Sequence, residues 1–185
     1  MNTLPALVAL TALGGEPQFV PGELIVAFKK DTEAGAITAA LSKGDSAGRG
    51  RLDAYVDGLS AKLAIPIKTK RVGSGGDVLL AIDLPELRAR LISQLKGDPR
   101  VVRATPAEAG GEVRLQLAAG ASLPEVTRRL AKDLGFALAS RTTPKNELFV
   151  DVDDRALTLH LVERLRQLPE VEYAQPNFVV RKLGP

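Results

Sequence analysis

The chain carries a single histidine, His160, and no cysteine. Without cysteine there is no disulfide framework, no thiolate nucleophile and no Cys-ligated zinc. One imidazole cannot build the His-rich ligand sets of common catalytic zinc sites. A Ser–His–Asp hydrolase would need a serine brought beside His160. That histidine lies among Leu157, Leu161 and Leu165, spaced as one helical face, and reads as a helix-surface residue. The chain therefore reads as a non-enzyme with no metal and no cofactor. The chemistry that remains is recognition. Arg114, Gln116, Phe149 and Asp151 stand at alternate positions of two strand-like stretches, where side chains share one sheet face. Gln175 and Asn177 flank Pro176 and offer side-chain oxygens, and Phe178-Val179-Val180-Arg181-Lys182-Leu183 follows as a run that begins apolar and β-favouring.

Composition narrows the partner. The 185 residues are 45% hydrophobic but only 4% aromatic, so a core has to be made from Leu, Val, Ile and Ala. Lys and Arg number 25 against 22 acidic residues, a net charge of +3. That excess is small and scattered, which argues against a nucleic-acid partner. Residues 4–13 form an apolar run ending in Gly14-Gly15, about the length of a signal h-region, with Ala12 and Gly14 as small cleavage-site residues. No Lys or Arg precedes it, so residues 1–19 read either as a plain leader or as a signal segment. The second reading implies a secreted or extracytoplasmic protein. The run is too short to span a membrane, and no membrane partner is expected.

An internal duplication sets the architecture. Residues 77–106 align without a gap on residues 147–176, at a constant offset of 70. Val78, Leu80 and Ile82 fall on Leu148, Val150 and Val152; Leu87, Leu91 and Leu95 fall on Leu157, Leu161 and Leu165. Pro99, Val101, Ala104 and Pro106 fall on Pro169, Val171, Ala174 and Pro176. Upstream, Gly22-Glu23-Leu24 answers Gly111-Glu112-Val113 at an offset of 89, so the first copy holds extra residues between Lys30 and Arg71.

In the second copy Val113, Leu115 and Leu117 alternate with polar residues, the period of a half-buried strand. Ser122 and Glu125 make a capping-box pair ahead of the Val126, Leu130 and Leu134 stripe, and Gly135 marks a stop. Strands are predicted over 136–141, 147–152 and 171–175, with a helix after Asp153 or Asp154 that ends at Pro169. The first copy repeats the plan, with strands over 23–28, 68–72, 78–82 and 101–104 and a helix over 85–96. Gly44, Gly48 and Gly50 break its first helical region, which predicts a loop over 42–50 and a helix over 51–63. The predicted fold class is α+β: two tandem ferredoxin-like βαββαβ domains, 20–107 and 110–177, each a four-stranded antiparallel sheet with two helices on one face. Residues 178–185 are left as a C-terminal tail.

Two stretches carry a family resemblance. Val20-Pro21-Gly22-Glu23-Leu24-Ile25-Val26-Ala27-Phe28-Lys29 resembles the opening strand of subtilisin-family propeptides, and Pro169-Glu170-Val171-Glu172-Tyr173-Ala174-Gln175-Pro176-Asn177-Phe178 resembles their closing strand and exit. The resemblance extends to stand-alone inhibitors built on the same domain. It implies an inhibitor or folding chaperone of a subtilisin-like serine protease, acting in cis or in trans. It further implies that Arg114, Gln116, Phe149 and Asp151 dock on the protease. Gln175 and Asn177 would cap the N-termini of two protease helices, and the tail from Phe178 through Leu183 would enter the cleft as a substrate does. Leu183 falls in the first specificity pocket and Val180 in the fourth. Gln175 departs from the carboxylate frequent at its position, and so loses a charge–dipole contribution of about 0.3–1 kcal/mol. Two other functions share the strand–helix order. A tandem amino-acid sensor of the ACT type would use a Gly turn after the first strand; Ala119-Gly120 supplies one, whereas the first copy has Lys30-Asp31. An RNA-recognition module needs stacking aromatics on central strands, and Phe149 has Leu79 as its counterpart.

Overall fold

Each repeat supplies the predicted elements, but the sheets do not follow the repeats. The computed structural model describes residues 18–107 and 111–179. The first repeat contains β1 (Phe19–Phe28), α1 (Glu33–Ser42), α2 (Arg49–Leu63), β2 (Ile67–Val72), β3 (Val78–Ile82), α3 (Leu84–Gly97) and β4 (Val101–Pro106). The second contains β5 (Val113–Leu117), α4 (Leu123–Leu134), β6 (Leu138–Thr142), β7 (Leu148–Val152), α5 (Asp154–Arg166) and β8 (Val171–Phe178). The expected loop over 42–50 is short: α1 ends at Ser42, a 3-10 turn spans Ser46–Gly48, and α2 begins at Arg49. Ser122 holds the N-cap position of α4, yet its hydroxyl makes no capping bond.

Two antiparallel four-stranded sheets form, as the fold class requires. Their orders are β2-β3-β1-β8 and β4-β5-β7-β6. Within one ferredoxin-like unit the last strand lies beside the first. Here β8, from the second repeat, takes that place beside β1, and β4, from the first, takes it beside β5. The helices travel with their strands. Leu157, Leu161 and Leu165 of α5 are fully buried with Leu24, Val26 and Leu80 of the first sheet. Leu91 and Leu95 of α3 are fully buried with Val113, Leu115 and Val150 of the second. The predicted boundaries 20–107 and 110–177 thus mark the repeats, whereas the first sheet takes strands β1, β2, β3 and β8 and the second β4, β5, β6 and β7; Leu87, Phe136 and Val152 also pack in the first cluster.

The short join between the repeats accounts for the exchange. Only residues 107–112 separate β4 from β5. The two strands close as a hairpin with Pro106 opposite Val113 and the Ala107 N–H donating to the Glu112 carbonyl at 2.8 Å. A local pairing of this kind costs less loop entropy than reaching back to β1. With β4 beside β5, the flank of β1 is open to β8. The chain crosses between the sheets at Asp83 and Asp153, which are equivalent by the offset of 70. Both residues cap a helix alike, accepting from Glu86 N–H and Ala156 N–H with ψ near 78° and 87°.

The exchanged contacts are themselves repeated. Thr158 on α5 is fully buried, and its hydroxyl accepts from the Gly22 N–H of β1 at 2.7 Å. The equivalent pair is Arg88 on α3 and Gly111 ahead of β5. The Arg88 guanidinium lies so close to Gly111 that a Cβ there would collide with it. Both glycines also have positive φ, 79° and 76°, a conformation that side chains disfavour. The Gly22/Gly111 correspondence in the sequence therefore marks the two points where an exchanged helix presses on a first strand.

Candidate functional site

The exchange separates the residues expected to act together. Gln175 and Asn177 lie on β8 in the first sheet, while Arg114, Gln116, Phe149 and Asp151 lie on β5 and β7 in the second. On the second sheet Arg114 and Gln116 are exposed, and Arg114 pairs with Glu147 at 3.4 Å. Phe149 is only 5% exposed. The Arg141 guanidinium covers its ring at 4.4 Å and that of Arg114 stands 5.6 Å from its centre, a stacked cation–aromatic arrangement. Arg141 is fixed in turn by both oxygens of Glu112, whose carboxyl it holds below the usual range. Asp151 is bonded to Arg88 at 3.0 and 3.2 Å, so its carboxylate is engaged within the protein. This face is polar and internally paired.

The first sheet offers the contrasting face. Offsets of 89 and 70 carry Arg114, Gln116, Phe149 and Asp151 onto Ile25, Ala27, Leu79 and Ala81. All four are apolar. Ile25 stands between Leu79 on β3 and Gln175 on β8, with Glu23 opposite Ala81 and Ala27 opposite Tyr173. A register shift between Ala27 and Phe28 against β8 makes room for Glu172 and leaves Tyr173, Gln175 and Asn177 on this same face. Tyr173 is 40% exposed; its hydroxyl reaches past β1 to donate to Asp77 at 2.6 Å. Burial, and then that contact with Asp77, push its pKa up to about 12.

Asn177 is oriented by its neighbour. Its Nδ2 donates to Glu23 Oε2 at 2.7 Å. A carboxylate only accepts, so the amide is fixed with Oδ1 turned away and available to a donor. Lys70 holds the other oxygen of Glu23 at 2.5 Å and keeps that carboxyl below its ordinary range. Among the described residues Gln175 makes no side-chain hydrogen bond, so its amide is equally available. A face assigned repeat by repeat leaves these four apolar residues away from Gln175 and Asn177. The offsets point to them once β8 is known to join β1.

The tail begins later than expected. Phe178 is the last residue of β8, opposite Phe19, with the rings edge-to-face at 6.4 Å. The Val179 N–H donates to the Gln18 carbonyl at 2.9 Å. Strand β1 starts at Phe19 rather than near Glu23, and this extension holds Phe178 and Val179 against the sheet. Val180, Arg181, Lys182 and Leu183 lie outside the described residues, as do residues 1–17.

His160 is exposed on α5. The sequence holds one G-x-S-x-G spacing, Gly44 to Gly48, which a hydrolase places on a strand-to-helix turn. Here it forms the 3-10 turn between two helices, with the Asp45 side chain accepting from the Ala47 N–H. Among the described residues no cluster of three His, Cys, Asp or Glu could hold a metal ion, and no helix is long and apolar enough to cross a membrane. No family model matches the chain, and no curated protein or solved structure does.

Proposed function

We propose that this chain binds and blocks a subtilisin-like serine protease, as an inhibitor or as a folding chaperone acting in cis or in trans. The observation that carries the reading is the composition of the first sheet. The strand that leads into the C-terminal tail, β8, is the edge of a sheet whose outer face carries half-buried Ile25, Leu79 and Ala81 around a buried Ala27. Tyr173, Gln175 and Asn177 stand along one side of that apolar surface. In this reading the face docks on two protease helices, burying apolar area worth about 25 cal/mol per Å². The free oxygens of Gln175 and Asn177 accept from unpaired N–H groups at the helix N-termini, where the dipole also favours an oxygen. The chain beyond Val179 then adds as a strand beside the substrate cleft, with main-chain bonds giving affinity and Val180 and Leu183 filling pockets. Arg181 and Lys182 keep their charged ends in water. The docking face moves from the second sheet, where the repeat pattern alone put it, to the first.

The test is residual activity of a broad-specificity subtilisin titrated with the full chain and with a chain lacking residues 180–185. Inhibition by the full chain and its loss on truncation, with the circular dichroism unchanged, is the expected result. Equal inhibition by the two chains would refute the role of the tail.

A further inference from the structure

The two repeats are joined covalently only through residues 107–112, yet each has placed its second half in the other's sheet. Three kinds of contact hold the exchange. The first is main-chain pairing. β8 bonds along β1 from Phe28 to Phe19, extended by the Lys29 N–H to the Glu170 carbonyl at 3.0 Å, and β4 bonds along β5. The second is core burial, with Leu157, Leu161 and Leu165 of α5 in the first sheet's core and Leu91 and Leu95 of α3 in the second's, while Leu87 of α3 stays with the first. The third is polar: Thr158 to Gly22, Arg164 to the Leu63 carbonyl at 2.7 Å, and Arg88 to Asp151. Removing these contacts would mean opening both cores.

We infer that the chain remains one body when it is cut between Pro106 and Val113, because the exchanged halves and not the connection hold the repeats together. The segment there reads Ala107-Glu108-Ala109-Gly110-Gly111-Glu112. One consequence rests on the protease-binding reading. The docking face belongs to the first repeat and the tail to the second, so the exchange keeps face and tail together after such a cut. An inhibitor that meets its protease repeatedly then loses nothing to hydrolysis at that point.

The experiment places the recognition sequence of a site-specific protease between Glu108 and Gly110 in the full chain, confirms that the uncut variant melts like the parent, and cuts it to completion. The two fragments are expected to co-elute in gel filtration at the volume of the uncut chain. The cut chain should inhibit subtilisin as the uncut one does. Fragments that elute separately under native conditions would overturn the inference. A second variant needs no cut. Ala27→Cys with Tyr173→Cys puts the only two thiols of the chain at facing positions of β1 and β8. Peptide mapping after oxidation should find an intrachain disulfide between them; thiols that stay free, or a disulfide between two chains, would overturn the inference as well. If the uncut chain fails to inhibit, the protease reading falls while elution and mapping still decide this one.

Discussion

Thr158→Val removes one buried hydroxyl and keeps the side chain's branched shape. Thr158 is fully buried, and its oxygen both donates to the Asp154 carbonyl at 2.6 Å and accepts from the Gly22 N–H at 2.7 Å. The Asp154 carbonyl lies one helical turn before Thr158, where it can still accept a main-chain N–H in α5. The Gly22 N–H has no such substitute: it is buried at the bulge where β1 breaks register with β8. An orphaned buried donor costs about 1–3 kcal/mol. For a chain of this size that is a fall in melting temperature of roughly 2–12 °C. A urea or thermal melt measures the loss, and amide hydrogen exchange locates it. The Gly22 amide should exchange faster in the variant, while Gly111, its counterpart in the other repeat, should not. Had α5 packed on its own repeat's sheet, Gly111 would be the residue exposed. An unchanged melt, or faster exchange at Gly111 in place of Gly22, would refute the exchange.

Leu161→Ala should cost about 2–5 kcal/mol, since the side chain is fully buried among Leu24, Leu80 and their neighbours; a melt without loss would mean that α5 is wrongly phased. Asp98 has its pKa lowered from 3.8 to about 2, first by the hydrogen bond from Arg100. The folded form thus holds its proton less tightly than the unfolded form, so this contribution is present above about pH 4 and lost as pH falls toward 2. Urea melts across that range should show a steeper acid loss for the parent than for Arg100→Gln; identical profiles would refute the assignment.

Element type and order were legible because the apolar periods are clean and repeated. Val78, Leu80 and Ile82 alternate as a strand does, and Leu157, Leu161 and Leu165 recur as a helix face does. Which sheet each element joins was not legible. Duplication makes the core-facing sides of the two possible partners alike: β8 meets Leu24 and Val26 on β1 where it would have met Val113 and Leu115 on β5. What decides between them is the connection over 107–112, whose length favours the β4–β5 hairpin. The same ambiguity separates the two halves of the proposed site. Gln175 and Asn177 were recognisable from their own motif, but the face beside them belongs to residues far away in sequence. Phe149 illustrates a second limit. Alternation put it on the open face, but nothing in its own strand indicated that Arg114 and Arg141 would cover it.

The most direct test of which face docks is an inhibition titration with Ile25→Arg and, separately, Arg114→Glu. These positions are equivalent in the two repeats; Arg114 is exposed and Ile25 half-buried on the outer faces of their sheets. Ile25→Arg, with its melt unchanged, is expected to weaken inhibition of a responsive subtilisin roughly tenfold or more, the scale of a central apolar contact. Arg114→Glu should inhibit as the parent does. Full inhibition by Ile25→Arg together with loss in Arg114→Glu would place the docking face on the second sheet and contradict the account.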